Sequence, residues 1–297
     1  MLQYLLETGL RQTMIRLVRP MLNPAIPVAL QRTLIAQAYR SSTAPRGCRF
    51  ECYPVASVPV TQTVYNNNVN SVVLYLHGGG YILGSPSTHR GVTGYLAKTS
   101  GCQVIAPSYR LAPEHPFPAA LDDAEAVYLA LLEQGFKPEN IAFAGDSAGG
   151  GLALALAMQL RDKQLPLPSS LTVFSPWTDL TQQELYVPEC EPVLQSRWTA
   201  KAAKLYAGSE PLTNPMISPV FGDLSGLPPL LIQVGSQEML LNDAERLAHA
   251  ARRDHVQTTI EIFNSLWHVF QVHAGHLDRA ASAMISAGNH IRNHLAV

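Results

Sequence analysis

Two glycine-rich segments and one late histidine hold the residue types that nucleophilic acyl chemistry needs. The first, Gly145-Asp146-Ser147-Ala148-Gly149, fits the G-x-S-x-G pattern, in which a serine sits on a sharp strand-to-helix turn. Bulky side chains two residues away on either side would clash in such a turn, which accounts for both glycines. The five-residue pattern is common by itself, and a glycine-rich turn with a capping serine is the plain alternative. Its context carries more weight: the apolar run Ile141–Ala144 leads in and an Ala/Leu-rich helical stretch leads out. Ser147 is therefore the candidate nucleophile, with the positive end of a helix beside it.

The second segment, His77-Gly78-Gly79-Gly80, follows another apolar run. Acyl transfer passes through a tetrahedral oxyanion, which needs backbone N–H donors fixed where the charge develops. Glycines can turn their amides inward without a side chain in the way. Gly78, Gly79 and Ala148, the residue after the nucleophile, are the expected donors. A phosphate cradle is the competing reading of these glycines, but the Lys-Ser/Thr of a P-loop is missing and no G-x-G-x-x-G follows. His77 reads as a structural histidine holding the loop.

The base must be sought among ten histidines. Enzymes with this serine turn run in the order Ser, acid, His. His268, in a short loop after the apolar run Thr258–Phe263, suits that order best, ahead of His273 and His276. The acid belongs in the loop after Leu230–Val234, where Glu238 and Asp243 compete. Asn242 and Glu245 resemble a helix capping pair, which gives Asp243 a structural explanation at a helix start. Glu238 leads, as the group that accepts the Nδ1 proton of His268 and fixes its tautomer.

The elements that must position these groups alternate. Strands are expected at 71–76, 103–106, 140–144, 170–174, 230–234 and 258–263. Helices are expected at 92–100, 119–133, 147–162, 243–253 and 279–295. Such alternation predicts an α/β architecture with a mostly parallel sheet and helices on both faces. Residues 180–218 break the rhythm with Pro188, Pro192, Pro211 and Pro215 around a helical piece at 196–207. A connection that long reads as an insertion over the carboxyl ends of the strands, where ligands bind in open α/β sheets. Leu2, Leu5, Leu6, Leu10, Met14, Leu17, Val18 and Met21 recur at helical spacing and predict an amphipathic N-terminal helix. It packs on its own domain, covers a pocket, or lies on a membrane surface. The expected division is an N-terminal helical cap over 1–45, core over 46–179, cap insertion over 180–218 and core again over 219–297.

Bulk composition removes other classes. Hydrophobic residues at 47% and charged residues at 14% suit wide buried layers and not a disordered chain. A net charge of −1 offers nothing to nucleic acid. Cys48 and Cys52 lack a second Cys/His pair at finger-like spacing, so no metal site is expected. No apolar run reaches spanning length, and the N-terminus lacks a signal-peptide pattern, so no stable membrane insertion and a cytoplasmic location are expected.

Taken together, the chain resembles the bacterial hormone-sensitive-lipase-like esterases. The resemblance rests on His77–Gly80, Tyr109–Glu114, Phe117–Asp123, Gly145–Gly149 and Ser175-Pro-Trp-Thr-Asp-Leu180, in that order along much of the chain. It implies an α/β-hydrolase core under a small helical cap, short to medium acyl esters as substrates, no cofactor and frequent homodimers. It also implies that Arg110, Glu114, Asp122 and Asp123 are structural, and it favours Glu238. The family's usual acid begins an Asp-Pro-Leu-x-Asp motif; here Glu238 takes that place and the proline is missing, yet His268 follows 30 residues later as in the common pattern. Tyr81, Trp198, Leu205 and Tyr206 are candidate substrate-lining residues. The expected activity is serine carboxylesterase. A lactonase, amidase or carbamate hydrolase would use the same residues, and a non-catalytic ligand receptor on this fold is the remote alternative.

Overall fold

A computed structural model describes residues 2–39, 42–66 and 70–296. The chain opens with α1 (Leu2–Thr13), which widens into a π-helical turn at Met14–Val18 and ends in the short α2 (Arg19–Met21). Pro20 has no N–H to give the carbonyl four residues back, so a regular α-helix could not continue unbroken through it. After Pro24 and Pro27 comes α3 (Val28–Ala38).

The sheet begins with a hairpin that sequence reading did not resolve: β1 (Cys48–Val55) pairs antiparallel with β2 (Val58–Tyr65). Its two-residue turn places both Ala56 and Ser57 at positive φ, 47° and 67°. The alternating remainder is close to expectation: β3 (Val72–Leu76), α4 (Arg90–Ser100), β4 (Gln103–Pro107), α5 (Ala119–Glu133), β5 (Ile141–Asp146), α6 (Ala148–Asp162) and β6 (Leu171–Phe174). Then come α7 (Ser196–Ala207), β7 (Leu230–Gly235), α8 (Leu241–Arg253), β8 (Thr258–Phe263) and α9 (Asp278–His294). Helix α8 starts two residues before the expected point. Leu240 is its N-cap, so the Asn242/Glu245 capping pair does not form, and the Asn242 amide instead reaches the Glu184 carbonyl.

Among the described residues the sheet has eight strands in the order β1-β2-β4-β3-β5-β6-β7-β8. From β4 to β8 all pairings are parallel, while β2 joins β4 antiparallel. Strands β3 to β7 are buried along their whole length, which explains their mostly apolar sequences. Helices α4 and α9 pack together, as do α5 and α6, so both sheet faces are covered.

Above the carboxyl ends of the parallel strands, two distant segments close on each other. Lys201 Nζ donates to the Pro24 carbonyl at 2.8 Å, Gln195 Nε2 to the Arg19 carbonyl at 2.6 Å and Trp198 Nε1 to Gln31 Oε1 at 3.2 Å. The Arg32 guanidinium fastens α3 to the core through the carbonyls of Ile82 and Ala112 and the Glu114 carboxylate. Arg110 pairs with Asp123 at 2.7 Å. No helix among the described residues is long and apolar enough to cross a membrane.

Candidate active site

Strands β3 and β5 lie side by side with Leu76 opposite Gly145, so the His77–Gly80 loop and the serine turn leave the sheet as neighbours. The turn is tight. A Cβ on Gly145 would stand 2.3 Å from the Gly149 carbonyl oxygen, and one on Gly149 would stand 2.0 Å from that of Leu76. Ser147 itself has φ 52° and ψ −122°, a conformation that costs on the order of 1–3 kcal/mol for a non-glycine residue. Its backbone is held on both sides. The N–H donates to Phe174 O at 2.8 Å, and the carbonyl accepts from Gly150, Gly151 and Trp177.

His268 and Ser147 line one cavity. On the side of the ring turned to the loop after β7, His268 Nδ1 donates to Glu238 Oε2 at 2.6 Å. Glu238 is fully buried, and its other oxygen accepts from Ser175 Oγ at 2.8 Å and the Gly235 amide at 2.6 Å. Ser175 Oγ in turn accepts the Val269 amide at 3.0 Å, tying the histidine loop to the acid. Burial works to lower the proton affinity of His268. The hydrogen bond and charge of Glu238 outweigh it, with Glu191 and Asp146 adding to the same side, so the imidazole is held above its ordinary value.

Asp243 takes no part in this chain of bonds. Its Oδ2 accepts the amides of Thr178 and Asp179 at 2.9 and 2.8 Å, fixing the loop after β6. Burial, together with the neighbouring Asp179 charge, pushes its carboxyl up to about 7.

The glycine loop differs from expectation at one position. The Gly78 amide donates to Asp146 Oδ1 at 2.9 Å and so is not available to an oxyanion. The next two peptides face the other way. Gly78 O is 2.8 Å from His77 Nδ1, and Gly79 O accepts from Leu83 N at 2.8 Å. A trans peptide sets its N–H opposite its carbonyl, so the amides of Gly79 and Gly80 point away from those partners. Both residues line the cavity. The three donors on Ser147 O likewise turn the Ala148 amide in the opposite direction. His77 is buried, stacks on Tyr109 with ring centroids 4.2 Å apart, and is held neutral by burial and by the charge of His89, with its pKa lowered to about 3.

Asp146 is a hub under the loop. Besides Gly78 it accepts from the Tyr75 hydroxyl and lies 3.4 Å from His89 Nε2. Burial opposes the charge on both partners, yet each favours the other's ionised form: the His89 pKa is raised and that of Asp146 lowered.

The cavity has a volume of about 50 Å³ and mostly apolar walls, including Val18, Leu22 and Ile35 from the N-terminal arm and Val193, Leu194 and Trp198 from the excursion before and within α7. A second cavity of about 20 Å³ adjoins it past His268. Of the four candidate lining residues, only Trp198 is in the wall of the main cavity. Tyr81 and Tyr206 stack on each other with centroids 3.6 Å apart. Leu205 lies two turns along α7 from Trp198, about 10 Å further at the helical rise per residue, beyond so small a space. Sequence reading missed Ser175, Glu191 and the individual wall residues. Ser175 had a usable signal as the polar residue ending the β6 run; the walls come from segments with no period to read.

Comparison with known proteins gives the family. A family model described as the alpha/beta hydrolase fold matches residues 73–272. LipR of Mycobacterium tuberculosis, a protein with an acetyl-hydrolase name, is 36% identical over 97% of this chain and 96% of its own length. An acetyl-hydrolase of Streptomyces hygroscopicus is 43% identical over 74% of this chain and 75% of its own. Among solved structures, a hormone-sensitive lipase from a metagenome library superposes with a TM-score of 0.92 at 34% identity, covering 99% of this chain and 98% of the other. An esterase from the bacterial hormone-sensitive lipase family gives 0.90 at 34%, covering 96% and 98%. With residues 73–272 matched by the family model and nearly the whole chain superposing on these esterases, the chain belongs to the α/β-hydrolase fold family, in its bacterial hormone-sensitive-lipase group.

Proposed function

We propose that this chain is a serine carboxylesterase that cleaves esters of short acyl groups through an acyl-enzyme. The observation that carries the reading is the bond of His268 to buried Glu238 at the edge of the cavity that Ser147 lines. In the first step His268 takes the proton of Ser147 Oγ as that oxygen bonds to the ester carbonyl carbon. The amides of Gly79, Gly80 and Ala148 face the oxygen that becomes negative. The carbon–alkoxy bond then breaks, and the alcohol leaves with the proton from His268. Water then bonds to the acyl carbon as its proton passes to His268; the Oγ–carbon bond breaks, His268 returns the proton to Oγ, and the carboxylic acid leaves. Glu238 holds the imidazole in the tautomer with Nε2 free and stabilises the imidazolium.

The size of the cavity supports the short acyl group. A cavity of about 50 Å³ with mostly apolar walls suits a small acyl group better than a long chain. The acetyl-hydrolase names of two relatives point the same way. The four cysteines are free thiols, which supports a reducing compartment such as the cytoplasm.

Ser147→Ala tests the reading. Turnover of p-nitrophenyl acetate should fall by about 10³-fold or more, with the circular dichroism spectrum unchanged. A folded variant that retains near-normal turnover removes Ser147 from the role. An anilide cleaved as readily as the ester would replace carboxylesterase by amidase.

A further inference from the structure

Glu191 lies in the excursion between β6 and α7, and its carboxylate joins two parts of the site that the chain keeps apart. Oε1 accepts the amides of Val193 and Leu194 at 2.8 and 3.0 Å, and both residues are cavity wall. Oε2 accepts the amide of Met239 at 2.7 Å. Met239 directly follows Glu238. Resting on the esterase reading above, we propose that Glu191 is a positioning residue for this reaction: it locks the cap wall to the loop that carries Glu238 and brings a carboxylate of the cap to the surroundings of His268.

The three amides are charge-assisted donors to an anion, stronger than bonds between neutral groups. Burial resists that anion and raises the Glu191 pKa, against the pull of the same amides. The groups around His268 are Glu238 from the loop after β7, Glu191 from the excursion and Asp146 from the elbow, with His89, Tyr39 and His273 also in the adjoining cavity walls. Arg19 and Glu189 share a surface groove with Glu191 on its outer side. Of the three carboxylates acting on His268, Glu191 alone comes from the cap. The cap thus contributes charge as well as apolar wall to the site.

The charge and the tie separate experimentally. In Glu191→Gln one side-chain oxygen still accepts Val193 and Leu194, but an NH2 group now meets the Met239 amide, donor against donor. The readout is the pH profile of kcat/KM on p-nitrophenyl acetate, per active site counted by fluorophosphonate labelling. The acid limb, where His268 loses its proton, should move down by about half a pH unit, because a negative charge that favoured the imidazolium is gone. The kcat should fall about tenfold as the acid loop loosens. Glu191→Asp keeps the charge and should keep the wild-type limb while lowering kcat. A Gln variant with both limb and kcat unmoved overturns the inference, as does an Asp variant whose limb moves down. If the Gln variant gives no labelled sites, the Asp limb decides alone. These outcomes leave the esterase reading intact, since that reading is tested on the wild-type enzyme and on Ser147→Ala.

Discussion

Glu238 and Asp243 are both buried carboxyls on one loop-to-helix passage, and position alone would let either orient a histidine. What separates them is where the nearest protons are. Glu238 faces an imidazole, a serine hydroxyl and one amide; Asp243 faces two amides of a different loop. Glu238→Gln should therefore cost about 10³-fold in kcat on p-nitrophenyl acetate, since an amide can hold the ring in the wrong tautomer and cannot answer its charge. Asp243→Asn should stay within about tenfold of wild type, and steady-state kinetics on the two variants checks the contrast. Asp243→Asn should change stability with pH instead. Burial raises the native carboxyl above its unfolded value, so in the wild type the unfolded chain releases this proton first and stability falls as pH rises from 3.8 towards about 7. At the level of single residues, Ser147, His268 and Glu238 were legible because chain order constrains them. Gly78 was misread because no sequence pattern shows that the neighbour of the nucleophile, Asp146, takes its amide.

Among elements, the glycine loop after β3 is crowded where its backbone faces the cavity. Gly80 has φ 63°, and a Cβ there would meet the Trp198 ring at 2.8 Å. Gly80→Ala should thus press α7 outward and tilt the amide proposed to face the oxyanion. The expected loss is about 10²-fold in kcat with a smaller change in KM, the signature of a contact made only in the transition state. Equal losses in binding of a substrate-like inhibitor would contradict it. Buried parallel strands could be read from sequence because they are short apolar runs bounded by turn residues. The β1–β2 hairpin was missed for a chemical reason. Its turn requires positive φ at both central residues, normally met by Asn-Gly, and here Ala56-Ser57 adopts it without that marker.

For the molecule as a whole, the cavity exists only where the N-terminal arm meets the excursion before β7. Gln31 makes that meeting specific: it is fully buried, accepts from Trp198 Nε1 and donates to the carbonyls of Met21 and Asn23. Gln31→Ala should free the indole and open the wall. The ratio of kcat/KM for acetate over hexanoate p-nitrophenyl esters is expected to fall several-fold, with a stability loss of about 1–3 kcal/mol from the unpaired buried groups. A chain-length profile and a thermal melt check both. The α/β core could be read from the sequence, whereas the cap walls could not, since they depend on contacts between segments with no shared pattern.

The bond between Gln31 and Trp198 spans 167 residues. A ribosome adding about 5–20 residues per second leaves roughly 8–33 seconds between the two partners. Through that interval α3 can already be held by Ile82, Ala112 and Glu114 through Arg32, but the α1–α2 segment before it waits for its cap partners, and Leu2, Tyr4 and Leu5 are exposed even in the finished fold. The sheet can therefore assemble beneath an unfinished roof, and α1 and α2 precede it in the chain yet find their places after it. A holdase that shields apolar helices should have its longest opportunity on this arm.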